Sequence, residues 1–334
     1  MIGILCIIRY NVAHCCLKCQ KHMDLYICLT PLQALIAEKI KEKQKDDGHL
    51  IYVSSKDNDV NKRAYNKIKK QMQLSFYMGD TRILWKIFRI FFILWGKRYK
   101  TVYVASIDNI VVHYALSYSK FERIETFDDG TLNISYDGVY YHDPVNPSLI
   151  NTIAHKILCK AYDREKIQKN SRKHYSIYKG MRNIISNVEL VDLFDFNRSY
   201  NPGGDNEISI FLGSVYKEIC SENRDDLINK VLLFLKSKEN MYYIPHPRGE
   251  TNSSFSKYYL DSAFCCNDLA EFIVIRMLGE YSKINLYGFS SSAQFNLINV
   301  PGICCYVVKY NGSNKIIDGI SDKLVKMGAE TIVL

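Results

Sequence analysis

Glu125-Thr126-Phe127-Asp128-Asp129-Gly130-Thr131 reads as the end of a strand, then two carboxylates, then a glycine. The glycine permits a sharp backbone turn. Neighbouring side chains leaving a strand point in opposite directions, so one Asp faces a cleft while the other anchors the loop. Open α/β sheets place their chemistry at the carboxyl ends of strands. Asp-Asp-Gly is also an ordinary solvated turn, so the rest of the chain has to decide between the two.

Upstream, residues 25–29 read as a buried strand, and Thr30-Pro31 as a helix cap with a first-turn proline. Leu32, Leu35, Ile36 and Ile40 recur at helical spacing over 32–43. Such an opening leaves free N–H groups at the strand end, for an anion or simply for the cap. Strands follow at 50–53, 74–78, 101–105 and 124–127, with a basic helix over 58–71. This alternation predicts a parallel sheet covered on both faces. Beyond Gly130 the chain is rich in Tyr, Asn and Pro (Tyr136, Tyr140, Tyr141, Asn146, Pro147), which suits either a binding loop or structural turns.

Residues 197–206, Asn-Arg-Ser-Tyr-Asn-Pro-Gly-Gly-Asp-Asn, form the clearest linker. A second series follows, with strands at 208–212, 241–244, 284–287 and 303–308 and helices at 224–236 and 269–281. The expected division is an extension over 1–22, an α/β domain over 23–196, the linker, and a second α/β domain over 207–334. Two such halves frame a central cleft. In the extension, His14, Cys15, Cys16, Cys19 and His22 give only a weak zinc-ligand signal, and the segment reads more simply as sequence upstream of a natural start at Met23 or as a disordered tail.

The 334 residues carry a net charge of +9, which favours acidic partners such as a phosphorylated or carboxylated substrate or an anionic membrane. The basic residues are dispersed and match no nucleic-acid motif, so nucleic acid is not expected. Eleven cysteines, several in adjacent pairs, form no disulfide framework and read as cytoplasmic thiols. No apolar run is long enough to span a bilayer. Residues 85–98 are aromatic, basic and helical in length. They suit either peripheral contact with a membrane or a buried helix, and the apolar residues nearly encircle the helix, which favours burial.

Three loops in the second half carry chemistry. Pro245-His246-Pro247-Arg248 follows a strand, and its prolines hold an imidazole rigidly beside a guanidinium. As His⁺ it would bond a phosphate oxygen or protonate a leaving group. Ser290 and Ser291 follow the 284–287 strand and open a helix, as a phosphate cradle or as a plain cap. Leu212-Gly213-Ser214 follows the first strand of this half, and Glu271 stands ready for a ribose or as an exposed helix charge. A carboxylate on one wall facing His and Ser loops on the other suits group transfer from a nucleotide donor. Protein donors rather than Mg²⁺ would stabilise the leaving group.

In order along the chain, Asp128-Asp129-Gly130, His246-Pro247 and Ser290-Ser291 resemble the motifs of bacterial sialyltransferases. Segments 26–33, 126–131, 174–180, 212–214 and 245–248 look like glycosyltransferase family 52, the lipooligosaccharide and capsule sialyltransferases. The resemblance implies a GT-B fold with an acceptor-side domain and a nucleotide-sugar-binding domain. It implies CMP-sialic acid as donor, a galactose-terminated acceptor that is lipid-linked in lipooligosaccharide, inversion, and no metal or other cofactor. It makes Asp129, with Asp128 beside it, the base and His246 the phosphate contact or acid. Ser290 and Ser291 would hold that phosphate, and Gly213 and Ser214 would line the nucleotide site, to which the reading of the residues themselves adds Pro247, Arg248 and Glu271. Some relatives carry an Asp base two residues after Leu-Gly-Ser, where this chain has Val215 and Tyr216. The expected location is cytoplasmic, either free or peripheral at the inner face of the cell membrane. A transferase using another nucleotide sugar, such as a glucosyltransferase, and a non-catalytic glycan- or nucleotide-binding protein are the competing readings.

Overall fold

The structure, a computed structural model, describes residues 23–79, 82–143, 155–159, 161–194, 206–220, 222–249, 252–260 and 268–334. The expectations for 1–22 and for most of the 197–206 linker lie outside the described residues.

Twelve described strands form two parallel sheets. The first has the order β3-β2-β1-β4-β5-β6-β7, built from β1 (Met23–Cys28), β2 (Asp47–Val53), β3 (Leu74–Met78), β4 (Arg98–Val104), β5 (Lys120–Phe127), β6 (Ser171–Ser176) and β7 (Val188–Leu190). The second has the order β12-β11-β10-β8-β9, from β8 (Glu207–Leu212), β9 (Met241–Ile244), β10 (Lys283–Gly288), β11 (Ile303–Lys309) and β12 (Glu330–Val333). These are the two doubly wound orders of open α/β sheets, whose ligands sit at the carboxyl edge where the strand order reverses. In the first sheet that point lies between β1 and β4, and in the second between β8 and β10.

The connecting helices are α1 (Pro31–Lys43), α2 (Asp59–Lys69), α3 (Ile83–Leu94), α4 (Ile110–Tyr118), α5 (Arg164–Asn170), the single turn α6 (Tyr216–Ile219), α7 (Arg224–Ser237), α8 (Ala270–Met277), α9 (Ser292–Leu297) and α10 (Lys315–Lys326). As expected, Thr30 caps α1, accepting from the Gln33 N–H with Pro31 in the first turn. Successive strand residues serve opposite faces. Ile27, Val102 and Ile124 pack with Ile87, Ile90 and Val112 of α3 and α4. Tyr26, Tyr52 and Tyr103 pack with Leu35, Ile36 and Ile68 of α1 and α2. The two sheets also share apolar contacts, since Ile134 and Tyr178, from loops of the first, sit in the core of the second with Phe295 and Leu297.

α3 departs from expectation. Its apolar residues nearly encircle it, yet only Lys86, Ile87, Ile90 and Leu94 are buried. Trp85, Phe88 and Phe92 are exposed, because the sheet and α4 cover one side and no other described element covers the opposite one.

Candidate active site

The two aspartates after β5 part company as their alternation requires. Asp128 is completely buried. Its carboxylate accepts from His174 Nε2 at 2.8 Å, Ser176 Oγ at 2.7 Å, the Ile177 N–H at 2.7 Å and Asn183 Nδ2 at 2.9 Å. Every donor comes from β6 or the segment after it. Asp128 was expected among the catalytic residues. With its oxygens taken up by four donors, it instead fastens the loop to β6.

Asp129 is half-buried and turned the other way. Gln33 Nε2 donates to one carboxylate oxygen at 2.5 Å, and Ser106 Oγ and the Tyr140 hydroxyl donate to the other at 2.7 and 2.8 Å. Gln33 itself accepts from the Leu29 N–H at 2.7 Å. The loops after β1, β4 and β5 are thereby tied together at the first sheet's switch point. Burial, then the charges of Asp129 and Asp108, keep Tyr140 far above the usual phenol range, so it stays a donor. Asp108, two residues beyond Ser106, reaches solvent. Crowding by the surrounding loops, then the charge of Asp129, raises its carboxyl above the usual range.

Gly130 has a φ of +62°, a left-handed backbone that favours glycine. A Cβ on it would lie 3.8 Å from Cβ of Ser292, the first residue of α9. The double-Asp loop of the first sheet therefore abuts the serine loop of the second.

The His246 loop is held from both sides. Lys56 Nζ donates to the Arg248 and Gly249 carbonyls at 2.9 Å each, and Asn58 Nδ2 donates to the Pro247 carbonyl at 3.2 Å. Both donors come from the loop after β2. His246 Nδ1 accepts from the Arg248 N–H at 3.1 Å, which leaves the proton of a neutral ring on Nε2. Burial, then the Arg248 and Lys56 cations, bring its pKa down to about 4. The imidazole expected as a cation is therefore neutral near pH 7, and its Nε2–H is a donor. The Arg248 guanidinium spans both oxygens of Glu218, at 3.2 and 3.4 Å.

Residues 40–311 match glycosyltransferase family 52. The chain belongs to that family. A CMP-N-acetylneuraminate:beta-galactoside alpha-2,3-sialyltransferase of Pasteurella multocida is 29% identical over 93% of this chain and 99% of its own length. N-acetyllactosaminide alpha-2,3-sialyltransferases of Haemophilus influenzae and Neisseria meningitidis are 28% and 24% identical, over 84% and 86% of this chain and 90% and 78% of their own. A solved structure of UDP-N-acetylglucosamine 2-epimerase is similar over 87% of this chain and 80% of its own, at 9% identity and a TM-score of 0.48.

In this family 52 chain the remaining expected residues have varied surroundings. Gly213 is required by packing: a Cβ there would lie 2.3 Å from the Tyr243 hydroxyl and 3.0 Å from the Ile244 carbonyl. Ser214 adjoins the His246 loop, its carbonyl 3.6 Å from where a Gly249 Cβ would stand. Ser290 departs from its expected role, being buried with its hydroxyl 2.8 Å from that of Ser321 in α10. Ser291 caps α9 in a reciprocal capping box with Gln294. Glu271 is neither an exposed charge nor open to a ribose. It is buried, accepts from Asn296 Nδ2 at 2.9 Å, and is raised above the usual carboxyl range by that burial. Tyr216 is buried, its hydroxyl 3.2 Å from that of Tyr243.

Tyr140 belongs to the Tyr-rich stretch read as a binding loop or structural turns, whereas Gln33, Lys56, Asn58, Ser106 and Asp108 were given no role from sequence. Of these five, only Gln33 carried a signal, as the end of the 26–33 segment shared with the family. Among the described residues, no three His, Cys, Asp or Glu side chains are grouped to hold a metal.

Proposed function

We propose that this chain is an inverting sialyltransferase that moves sialic acid from CMP-sialic acid to a terminal galactose, with the α-2,3 linkage named for its relatives. The observation that carries the reading is the meeting of two carboxyl edges. Asp129 stands on one, His246 on the other, and Gly130 lies against Ser292 between them. We read the first sheet as the acceptor-side domain, the second as the nucleotide-sugar domain, and their gap as a GT-B cleft.

The acceptor hydroxyl oxygen attacks the anomeric carbon, and its proton passes to the Asp129 carboxylate. The bond from that carbon to the CMP phosphate oxygen breaks, and the electron pair stays on the phosphate. His246 Nε2–H donates to that oxygen, and Ser291 with the free N–H groups opening α9 supplies further donors. One displacement inverts the anomeric centre. The step uses protein donors throughout and needs no metal.

The reading includes an acceptor within a capsular polysaccharide or lipooligosaccharide, lipid-linked in the latter. It places the enzyme at the inner face of the cell membrane, in contact through residues 85–98. The test is release of CMP from CMP-sialic acid compared with release of UDP from UDP-sugars, each with lactose and EDTA. CMP release coupled to sialyl-lactose is expected. Turnover of a UDP-sugar alone would transfer the reading to another sugar donor, and turnover of neither would leave a binding protein.

A further inference from the structure

The loop after β4 turns back at once. The Asn109 N–H donates to the Ser106 carbonyl at 3.1 Å and closes a tight turn over 106–109. His113 Nε2 donates to the Ile107 carbonyl at 2.6 Å, and Asn109 Oδ1 accepts from the Val111 N–H at 2.9 Å to cap α4. The turn is therefore fixed from inside, and its residues have separate duties. Ser106 and Ile107 are buried, and the Ser106 hydroxyl serves Asp129. Asn109 is the cap. Asp108 is the exposed member, presented at the carboxyl edge of the first sheet.

Tyr140 links this turn to the neighbouring carboxylate. Its hydroxyl donates to Asp129 at 2.8 Å, lies 3.4 Å from the Ala105 carbonyl, and feels the charge of Asp108. Arg164, the cation that bears on Asp108, is engaged elsewhere. Its guanidinium donates to the Val139 and His142 carbonyls at 2.8 and 2.7 Å and to Asp143 at 2.8 Å. Among the described residues, the Asp108 carboxyl receives only its own N–H. Asp129 has three side-chain donors. Two carboxylates thus share one corner, one with its partners and one without. Crowding and the charge of Asp129 disfavour an ionised Asp108, and a ligand that brings hydroxyl donors relieves both.

The sign of this corner selects the ligand. CMP-sialic acid carries a phosphate and a carboxylate, which two carboxylates repel. The cations that suit it, Lys56 and Arg248, stand at the His246 loop. A galactose is neutral and offers hydroxyl donors on adjacent carbons, which a carboxylate accepts well. We propose that Asp108 selects the acceptor sugar, accepting a hydrogen bond from a hydroxyl next to the one that attacks. The attacking hydroxyl lies on Asp129, and its neighbour falls to the unpartnered carboxylate of the adjoining turn. The proposal deepens the sialyltransferase reading, on which it rests. It gives Asp108 a role in specificity and leaves the proton transfer to Asp129.

Transfer from CMP-sialic acid is measured to methyl β-galactoside and to its 2-deoxy and 4-deoxy analogues, by wild type, Asp108→Ala and Asp108→Asn. The wild type should prefer the parent sugar to one of the analogues by about tenfold or more. Asp108→Ala should raise the acceptor KM for the parent by about tenfold and abolish that preference. Asp108→Asn, which keeps the size of the side chain and suits the turn, should move both in the same direction. Retained CMP affinity shows that the variants are folded. A wild type indifferent to both hydroxyls, or a preference retained in both variants, would overturn the proposal. So would an equal fall in kcat on all three sugars, which would put Asp108 in the chemistry. A wild type that transfers to none of them is tested by saturation-transfer NMR of methyl β-galactoside in the presence of CMP. A signal lost in Asp108→Ala would uphold the sugar contact and count against the sialyltransferase reading alone. A signal kept in that variant, or absent from the wild type, would overturn the proposal as well.

Discussion

Asp128 and Asp129 are neighbours in the chain with opposite duties, and substitution separates them. Asp128→Ala strands three buried side-chain donors and the half-buried Ile177 N–H, so it should cost about 3 kcal/mol of stability in denaturant unfolding. Asp129→Asn should leave the unfolding midpoint nearly in place and lower turnover by about 100-fold or more. His246 carries the pH dependence. Its folded pKa of about 4 lies below the ordinary 6.5. As pH falls, the unfolded chain takes up this proton first. The stability linked to His246 is therefore full above about 6.5 and lost between 6.5 and 4. NMR titration of the imidazole should show a midpoint near 4 in the free chain and a higher one with CMP bound, since a phosphate favours His⁺. An unshifted imidazole in both states would place the phosphate elsewhere. At this scale Asp129, His246 and Ser291 stand out in the sequence as turn and cap residues at strand ends, but the inward duties of Asp128 and Ser290 show only in the fold. The partners of Asp129 do not stand out, because Gln33, Ser106 and Tyr140 lie 96, 23 and 11 residues away from it and only the folded sheet unites them.

Among the elements, β1 and α1 were plain from the sequence because a continuous apolar strand, a Thr-Pro cap and helical spacing all agree. β6 was not read as a strand. Its His174 and Ser176 look like loop residues, yet they are buried because they serve Asp128. The outward face of α3 was misjudged because periodicity shows how many sides are apolar, not how many are covered. α9 is the short element on which the serine loop depends. Gln294 returns a bond to the Ser291 N–H at 3.1 Å and donates to the Tyr306 carbonyl at 2.9 Å. Gln294→Ala should cost about 1–2 kcal/mol and raise the KM for the donor more than it lowers kcat, because Ser291 loses its hold. A kcat effect alone would place the serine loop in the chemistry rather than in binding.

The whole molecule joins two parallel sheets edge to edge, and the Lys56 and Asn58 contacts to the His246 loop span them. Lys56→Met removes one of the cations that depress His246. Its titration midpoint should therefore rise above that of the wild type, and an unchanged midpoint would mean that Lys56 lies outside this loop in solution. The alternation of strands and helices made both sheets legible. Their mutual approach was not, because it rests on single side chains and carbonyls from distant loops. The central claim is that a carboxylate on the first sheet drives transfer from a donor held by the second. The most direct measurement is single-turnover transfer from CMP-sialic acid to lactose, in EDTA, by wild type and Asp129→Asn. Sialyl-lactose formed by the wild type and slowed about 100-fold or more in the variant, with donor affinity unchanged, is the predicted result. Equal rates in the two proteins would contradict it and direct attention to Asp108, the other carboxylate at that edge.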